Sequence, residues 1–235
     1  MSDRPPIQAS IERRWQETAA VEDAYARGEI DRQTWHARMA ALITPAYLAG
    51  DNPRAQSGYT GSEEDWQQAR SLVAEAIPRS GTFLDVGCAS GLLMETVRDW
   101  CGERGLAIEP YGLDIVPELA ALARARLPQW AERIFDGNAA AWRPPRRFDF
   151  VRTGLEYVPP PDRAALVSHL LEHVVVPGGR LLIGPCTEER DETREQPGQE
   201  DALRTWGFAI AGRIERAHPR DERVIRRLSY VDKPA

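Results

Sequence analysis

The chain has 235 residues, 42% hydrophobic and 28% charged, with a net charge of −6, which suits one α/β domain with an added subdomain. The acidic balance gives no global attraction to nucleic acid, no apolar run approaches the ~18 residues that span a bilayer, and the opening MSDRPPIQAS has no signal-peptide pattern. Three scattered cysteines, Cys88, Cys101 and Cys186, make no disulfide framework and fit a reducing cytoplasm.

Residues 1–10 read as a loose polar tail. Residues 11–27 and 31–48 read as two helices split by Gly28, and the second places Trp35, Met39, Leu42, Ile43 and Tyr47 on one apolar face. Gly50-Asp51-Asn52-Pro53 stops it, and a turn-rich loop follows to residue 61. Ser62 then caps a helix whose acidic first turn suits the helix dipole, and Trp66, Ala69, Val73 and Ile77 form its apolar stripe.

From residue 82 strands alternate with helices: strand 82–86, helix 92–100, strand 111–115, a helix opened by Pro117, short strands at 133–136 and 148–152, a helix over 162–175, then the strand RLLIG. That alternation implies a parallel sheet with helices on both faces. The polar stretch TEERDETREQPGQED (187–201) reads as a solvated loop or lid, and WGFAIAGRIER with RVIRRLSYV as a hairpin closing one sheet edge.

The chemistry sits in FLDVGCASGLLMETV (83–97), a strand, a small-residue turn and a helix start. Gly87 and Gly91 let backbone pass close to a ligand, and the helix N-terminus favours an anionic group. The spacing is G-x-x-x-G. It lacks the middle glycine of a dinucleotide turn and the lysine of a P-loop, so both phosphate readings lose weight.

DVGCASG resembles the first motif of class I S-adenosylmethionine-dependent methyltransferases at Asp85, Gly87 and Gly91, with Ala89 in place of the central glycine. The resemblance continues in order through YGLDIVPELAALARARL, IFDGNAAAW, RFDFVRTGLEYVP, LLEHVVVPGGRLLIG and RTWGF, and covers about residues 63–230. It implies a doubly wound, mostly parallel seven-stranded Rossmann-like sheet. The expected division is an N-terminal helical cap or lid over residues 1–61 and a cofactor-binding core over 62–235.

The resemblance also implies roles. Asp85, Gly87, Cys88 and Gly91 would cradle the methionine part of S-adenosylmethionine. Asp114 would accept from the ribose hydroxyls, Ile115 would pack on adenine, and Gly137 and Asn138 would meet the adenine edge, Asn138 standing where an Asp is more usual. Thr153 would lie near the sulfonium. Apart from the resemblance, Glu156 and Tyr157 after the fourth strand are the candidate catalytic base, and Arg54, Gln56 and Tyr59 would reach the cofactor or the acceptor if the N-terminal helices act as a lid.

Other patterns have plainer readings. HLLEH (His169 to His173) matches an inverted zinc-protease motif, yet its helix leads straight into the next core strand, so no metal is expected. Cys88 reads as a small buried residue rather than a nucleophile. Asp149 reads as structural.

The expectation is therefore an enzyme, a methyltransferase acting on an O or N atom of a small-molecule acceptor. It would be a monomer or homodimer without nucleic-acid or membrane partners. Open alternatives are an RNA or protein methyltransferase on the same fold, a non-catalytic cofactor-binding module, and an NAD-type oxidoreductase that the glycine spacing disfavours.

Overall fold

The computed structural model describes residues 7–192, 197–219 and 221–235. The expected tail is therefore described only from Ile7, and residues 193–196 of the polar stretch lie outside the described residues. Two N-terminal helices, α1 (Ile7–Ala26) and α2 (Arg32–Leu48), precede α3 (Glu63–Glu75). Asp31 caps α2 by accepting from Thr34 N, and Ser62 and Asp65 form a reciprocal capping box on α3.

The core follows as β1 (Gly81–Val86), α4 (Leu92–Glu103), β2 (Ile108–Asp114), α5 (Pro117–Arg126), β3 (Ile134–Asp136), β4 (Phe148–Thr153), α6 (Arg163–His169), β5 (Val175–Glu189), α7 (Gln199–Thr205), β6 (Gly212–His218) and β7 (Asp221–Asp232). The seven strands form one sheet in the order β3-β2-β1-β4-β5-β7-β6. The first five run parallel, and β7 is antiparallel to both β5 and β6. No helix among the described residues is long and apolar enough to cross a membrane.

Apolar residues on both faces explain the burial. Leu84, Val86, Leu113 and Val151 pack on α6 residues such as Leu166 and Val167, while Phe83, Phe150 and Leu182 pack on α3 and α4 through Leu72, Val73 and Val97. Asp149 ties two strands, accepting from Thr82 N and Oγ1 at 2.9 and 2.8 Å.

Three expectations change. The helix over 162–175 is α6 followed by a π-helical turn at Leu170–Val174. There His169 Nε2 donates to the Trp142 carbonyl at 2.8 Å, and His173 Nδ1 lies 3.1 Å from Arg143. The polar stretch is not all loop: β5 runs on to Glu189 because β7 pairs with it there, and α7 begins at Gln199. Glu200 is buried in α7, where its carboxylate meets Arg204, Arg213 and Ser229. The last hairpin begins only at Gly212; Trp206, Phe208 and Ile210 pack against the core instead.

Candidate active site

The strand order reverses between β1 and β4, and a parallel sheet holds ligands at the carboxyl ends of the strands beside such a switch. A cavity of about 740 Å³ lies there, a size that suits a small-molecule site. Its floor is the turn after β1, the end of β2 and the segment after β3; its roof comes from α2.

The turn is strapped down from β2. Gly87 N and Cys88 N both donate to the Leu113 carbonyl, at 2.7 and 3.1 Å. Gly87 has φ +73° and sits under the Tyr157 ring, which a Cβ there would meet at 2.6 Å. Ala89 also has positive φ, 45°, so the residue in place of the usual glycine takes a left-handed conformation at a cost of about 1–2 kcal/mol. Its methyl packs with Val116 and Leu119.

Asp114 organises this floor. Its Oδ2 accepts from Ala89 N at 2.8 Å and its Oδ1 from Val116 N at 2.9 Å, so one carboxylate fixes both the glycine turn and the entry to α5. Burial raises its pKa, and the backbone donors at Val116 and Ala89 oppose that rise. Ile115 lies on the cavity wall with 40% of its surface exposed. Asn138 Oδ1 accepts from Ala140 N at 3.0 Å, which fixes the orientation of its amide.

An ion cluster closes the side toward β4. Asp85 and Arg152 are register partners on β1 and β4, so their side chains share one face. Arg152 Nη1 lies 3.4 Å from Asp85 Oδ1, its Nε donates to the Gly184 carbonyl at 2.7 Å, and Nη1 donates to the Tyr157 hydroxyl at 2.8 Å. Burial pushes the Asp85 carboxyl up to about 6, with Arg152 pulling the other way. Burial also raises the Tyr157 phenol, which therefore keeps its proton at neutral pH. Of the two expected bases, Glu156 is the one that puts a carboxylate on the cavity wall.

Thr153 is fully buried, and its hydroxyl is turned to the Gly154 carbonyl. Gly91, Thr153, Arg54 and Gln56 are absent from the cavity wall. Gly91 caps α4 at φ +74°, where a Cβ would meet Leu127 at 2.7 Å. Arg54 pairs with Glu63, and Gln56 donates to the Gly50 carbonyl at 3.1 Å, so both act within their own loop. Tyr59 donates to the Asp65 carbonyl at 2.8 Å and lines a neighbouring cavity. The loop itself is pinned to the glycine turn, with Ser57 and Ser90 hydroxyls 2.7 Å apart.

The roof holds residues with no motif to mark them. Trp35, His36, Met39 and Tyr47 of α2 line the cavity. Trp35 Nε1, His36 Nε2, Trp66 Nε1 and Arg70 Nε are buried polar atoms without a hydrogen-bond partner among the described residues, and all four residues line this wall. Unsatisfied buried groups cost about 1–3 kcal/mol each, so their concentration here marks a surface built for a ligand. Burial lowers the His36 pKa, Arg32 adds to the shift and Asp162 opposes it, so the ring is uncharged at neutral pH.

Residues 60–227 match the family described as a methyltransferase domain. Over 165 residues the chain is 28% identical to the trans-aconitate 2-methyltransferase of Methylobacterium radiotolerans; the match covers 67% of this chain and 61% of that protein, less than two thirds of its length. The fold is similar to that of the 1,6-didemethyltoxoflavin-N1-methyltransferase of Burkholderia thailandensis, solved with 1,6-didemethyltoxoflavin and S-adenosylhomocysteine (18% identity, 88% of this chain and 92% of that one, TM-score 0.60). It is similar too to the N-methyltransferase NodS of Bradyrhizobium japonicum, solved with S-adenosylhomocysteine (18% identity, 80% and 95%, TM-score 0.56).

Proposed function

The chain belongs to the methyltransferase-domain family, and from that premise we propose that it transfers the methyl group of S-adenosylmethionine to an O or N atom of a small-molecule acceptor. The observation that carries this reading is the one cavity in which Gly87, Asp114 and Asn138 form the floor and α2 the roof. Those residues fit the cofactor. Each Asp114 oxygen accepts one backbone N–H and keeps a lone pair for a ribose hydroxyl. Ile115 offers an apolar face to a flat base, and Asn138 an amide to its edge. The Gly87 turn leaves room for the methionine part beside Asp85.

S-adenosylmethionine supplies, when bound, a methyl group already activated on a sulfonium. The protein's part is then chiefly to align the acceptor, which can contribute roughly 7–11 kcal/mol. Asp85 faces Arg152 and Asp114 holds two backbone N–H groups, which leaves His36 and Glu156 on the wall as the groups to take a proton from the acceptor. Residues 1–61 serve as the cap and 62–235 as the core. The cap is latched: Arg32 donates to both Asp162 oxygens at 2.6 and 2.8 Å, and Tyr25 donates to the same carboxylate at 3.2 Å. A cytoplasmic setting and a monomer or homodimer belong to the same reading.

The test is methyl transfer from S-adenosylmethionine across phenols, amines, heteroaromatic N–H compounds and carboxylic acids. Cofactor binding without transfer to any class would favour a binding module instead. With an acceptor in hand, His36→Gln should cut turnover about 100-fold and leave S-adenosylhomocysteine affinity within threefold. The wild-type rate should fall on the acid side below pH 6.5, since the lowered pKa of His36 delays its protonation. Unchanged turnover in the variant would remove His36 from proton transfer and leave Glu156.

A further inference from the structure

A second cavity of about 470 Å³ adjoins the first and shares Gly58, Thr60 and Arg70 with it. It opens beside Pro185–Thr187 in the distal half of β5, where β7 brings in Arg226. Its wall is polar, with hydroxyls from Thr60, Ser62 and Thr187. Nothing in the cofactor reading uses it.

Two guanidinium groups on this wall make no direct ion pair among the described residues. Arg226 is 7% exposed, and its Nη1 is buried without a hydrogen-bond partner among the described residues. Arg216 stands opposite it on β6 and so presents a like charge on the same face. Arg216 is compensated by Glu75 at 2.5 Å and by Ser71 and the Gln68 carbonyl at 2.8 Å each. Arg226 has no such carboxylate among the described residues.

Arg70 is the second. It lies over the Tyr59 and Trp66 rings at 5.8 and 5.5 Å, and its Nε is buried and unpartnered. Among the described residues the one carboxylate on the wall is Asp65, which caps α3 through Ser62 N. Burial pushes the neighbouring Cys186 thiol up to about 12, so it adds no negative charge. Asp85 and Glu156 act on Arg70 only through space, against burial and Arg152, and leave its Nε without an acceptor; an oxyanion with several acceptor sites is the ligand that satisfies such buried donors.

We propose that the second cavity receives a carboxylate group of the methyl acceptor, held between Arg70 and Arg226 with the Thr60 and Thr187 hydroxyls beside it. The acceptor is then an organic acid whose nucleophilic atom reaches the first cavity past Arg70. This rests on the methyl-transfer reading for the word acceptor, and on the arginines alone for the anion.

The experiment uses the full chain saturated with S-adenosylhomocysteine and titrated by calorimetry with succinate, dimethyl succinate or inorganic phosphate. Succinate should bind and dimethyl succinate should not. Arg226→Met and Arg70→Met should each weaken succinate at least tenfold, and Arg226→Lys should keep part of the affinity. Arg226→Met should still bind S-adenosylhomocysteine, which shows that it folds. Succinate binding equally well to the wild type and both Met variants would overturn the proposal, and so would phosphate binding tighter than succinate. If Arg70→Met weakens S-adenosylhomocysteine but not methylthioadenosine while Arg226→Met leaves succinate unchanged, the charge serves the cofactor's own carboxylate and the proposal falls. A protein that takes succinate but not S-adenosylhomocysteine keeps the anion site and overturns the methyl-transfer reading. One that takes S-adenosylhomocysteine but not succinate does the reverse.

Discussion

Asp114→Asn is expected to weaken S-adenosylhomocysteine binding by about 100-fold or more, although it changes one atom and keeps the shape. Both carboxylate oxygens accept backbone N–H groups, from Ala89 and from Val116. An amide has one acceptor and one donor end, so whichever way it turns its NH₂ faces an N–H. One of those donors is left buried without a partner, at about 1–3 kcal/mol, and the left-handed turn at Ala89 loses its anchor. The same substitution removes an acceptor from the proposed ribose contact. Stability should fall by about 2 kcal/mol in urea unfolding. A variant with near-wild-type affinity would show that Asp114 serves only as the α5 cap.

Arg152→Met should produce the largest loss of stability, about 3–5 kcal/mol. The guanidinium bonds the Gly184 carbonyl of β5 and the Tyr157 hydroxyl beyond β4, and faces Asp85 of β1, so it joins three adjacent strands at the switch point. Without it Asp85, 1% exposed, is a buried carboxylate left with only the more weakly acting Arg70 as counter-charge. The double variant Asp85→Asn with Arg152→Met should be more stable than the sum of the single effects predicts, because it removes both charges together. Additive losses would mean that the 3.4 Å contact carries no coupling.

Much of this was legible in order along the chain. The strand-turn-helix at 81–103, the Ser62 cap, the Pro117 helix start and Asp114 at the end of β2 all rest on local chemistry and local spacing. The Asp85–Arg152 contact was not, because it depends on the β1–β4 register across 67 residues; the one trace is Arg152 itself, a charge near the end of the strand FDFVRT. His36 was missed for a similar reason. Its place on the cavity wall follows from where α2 lies over the sheet ends, and no motif surrounds it. Arg54 and Gln56 were expected to reach the ligand because an N-terminal lid would cover the strand ends; their loop does touch the glycine turn, but through Ser57 and Ser90. The polar stretch misled because its charges are spent on partners: Glu188 pairs with Arg227 at 3.1 Å, and Glu200 is buried among arginines.

The proposed cofactor site at the switch point also carries an expectation about discrimination between nucleotides. In the proposed reading Asp114 meets the ribose and Asn138 the base edge, and the turn lacks the glycine spacing that brings a dinucleotide pyrophosphate onto the helix start. The most direct test of that claim is calorimetric titration of the full chain with S-adenosylhomocysteine and, in parallel, with NADH. Saturable binding of S-adenosylhomocysteine at one site per chain and no heat from NADH are expected; binding of NADH without S-adenosylhomocysteine would contradict the assignment of this cavity.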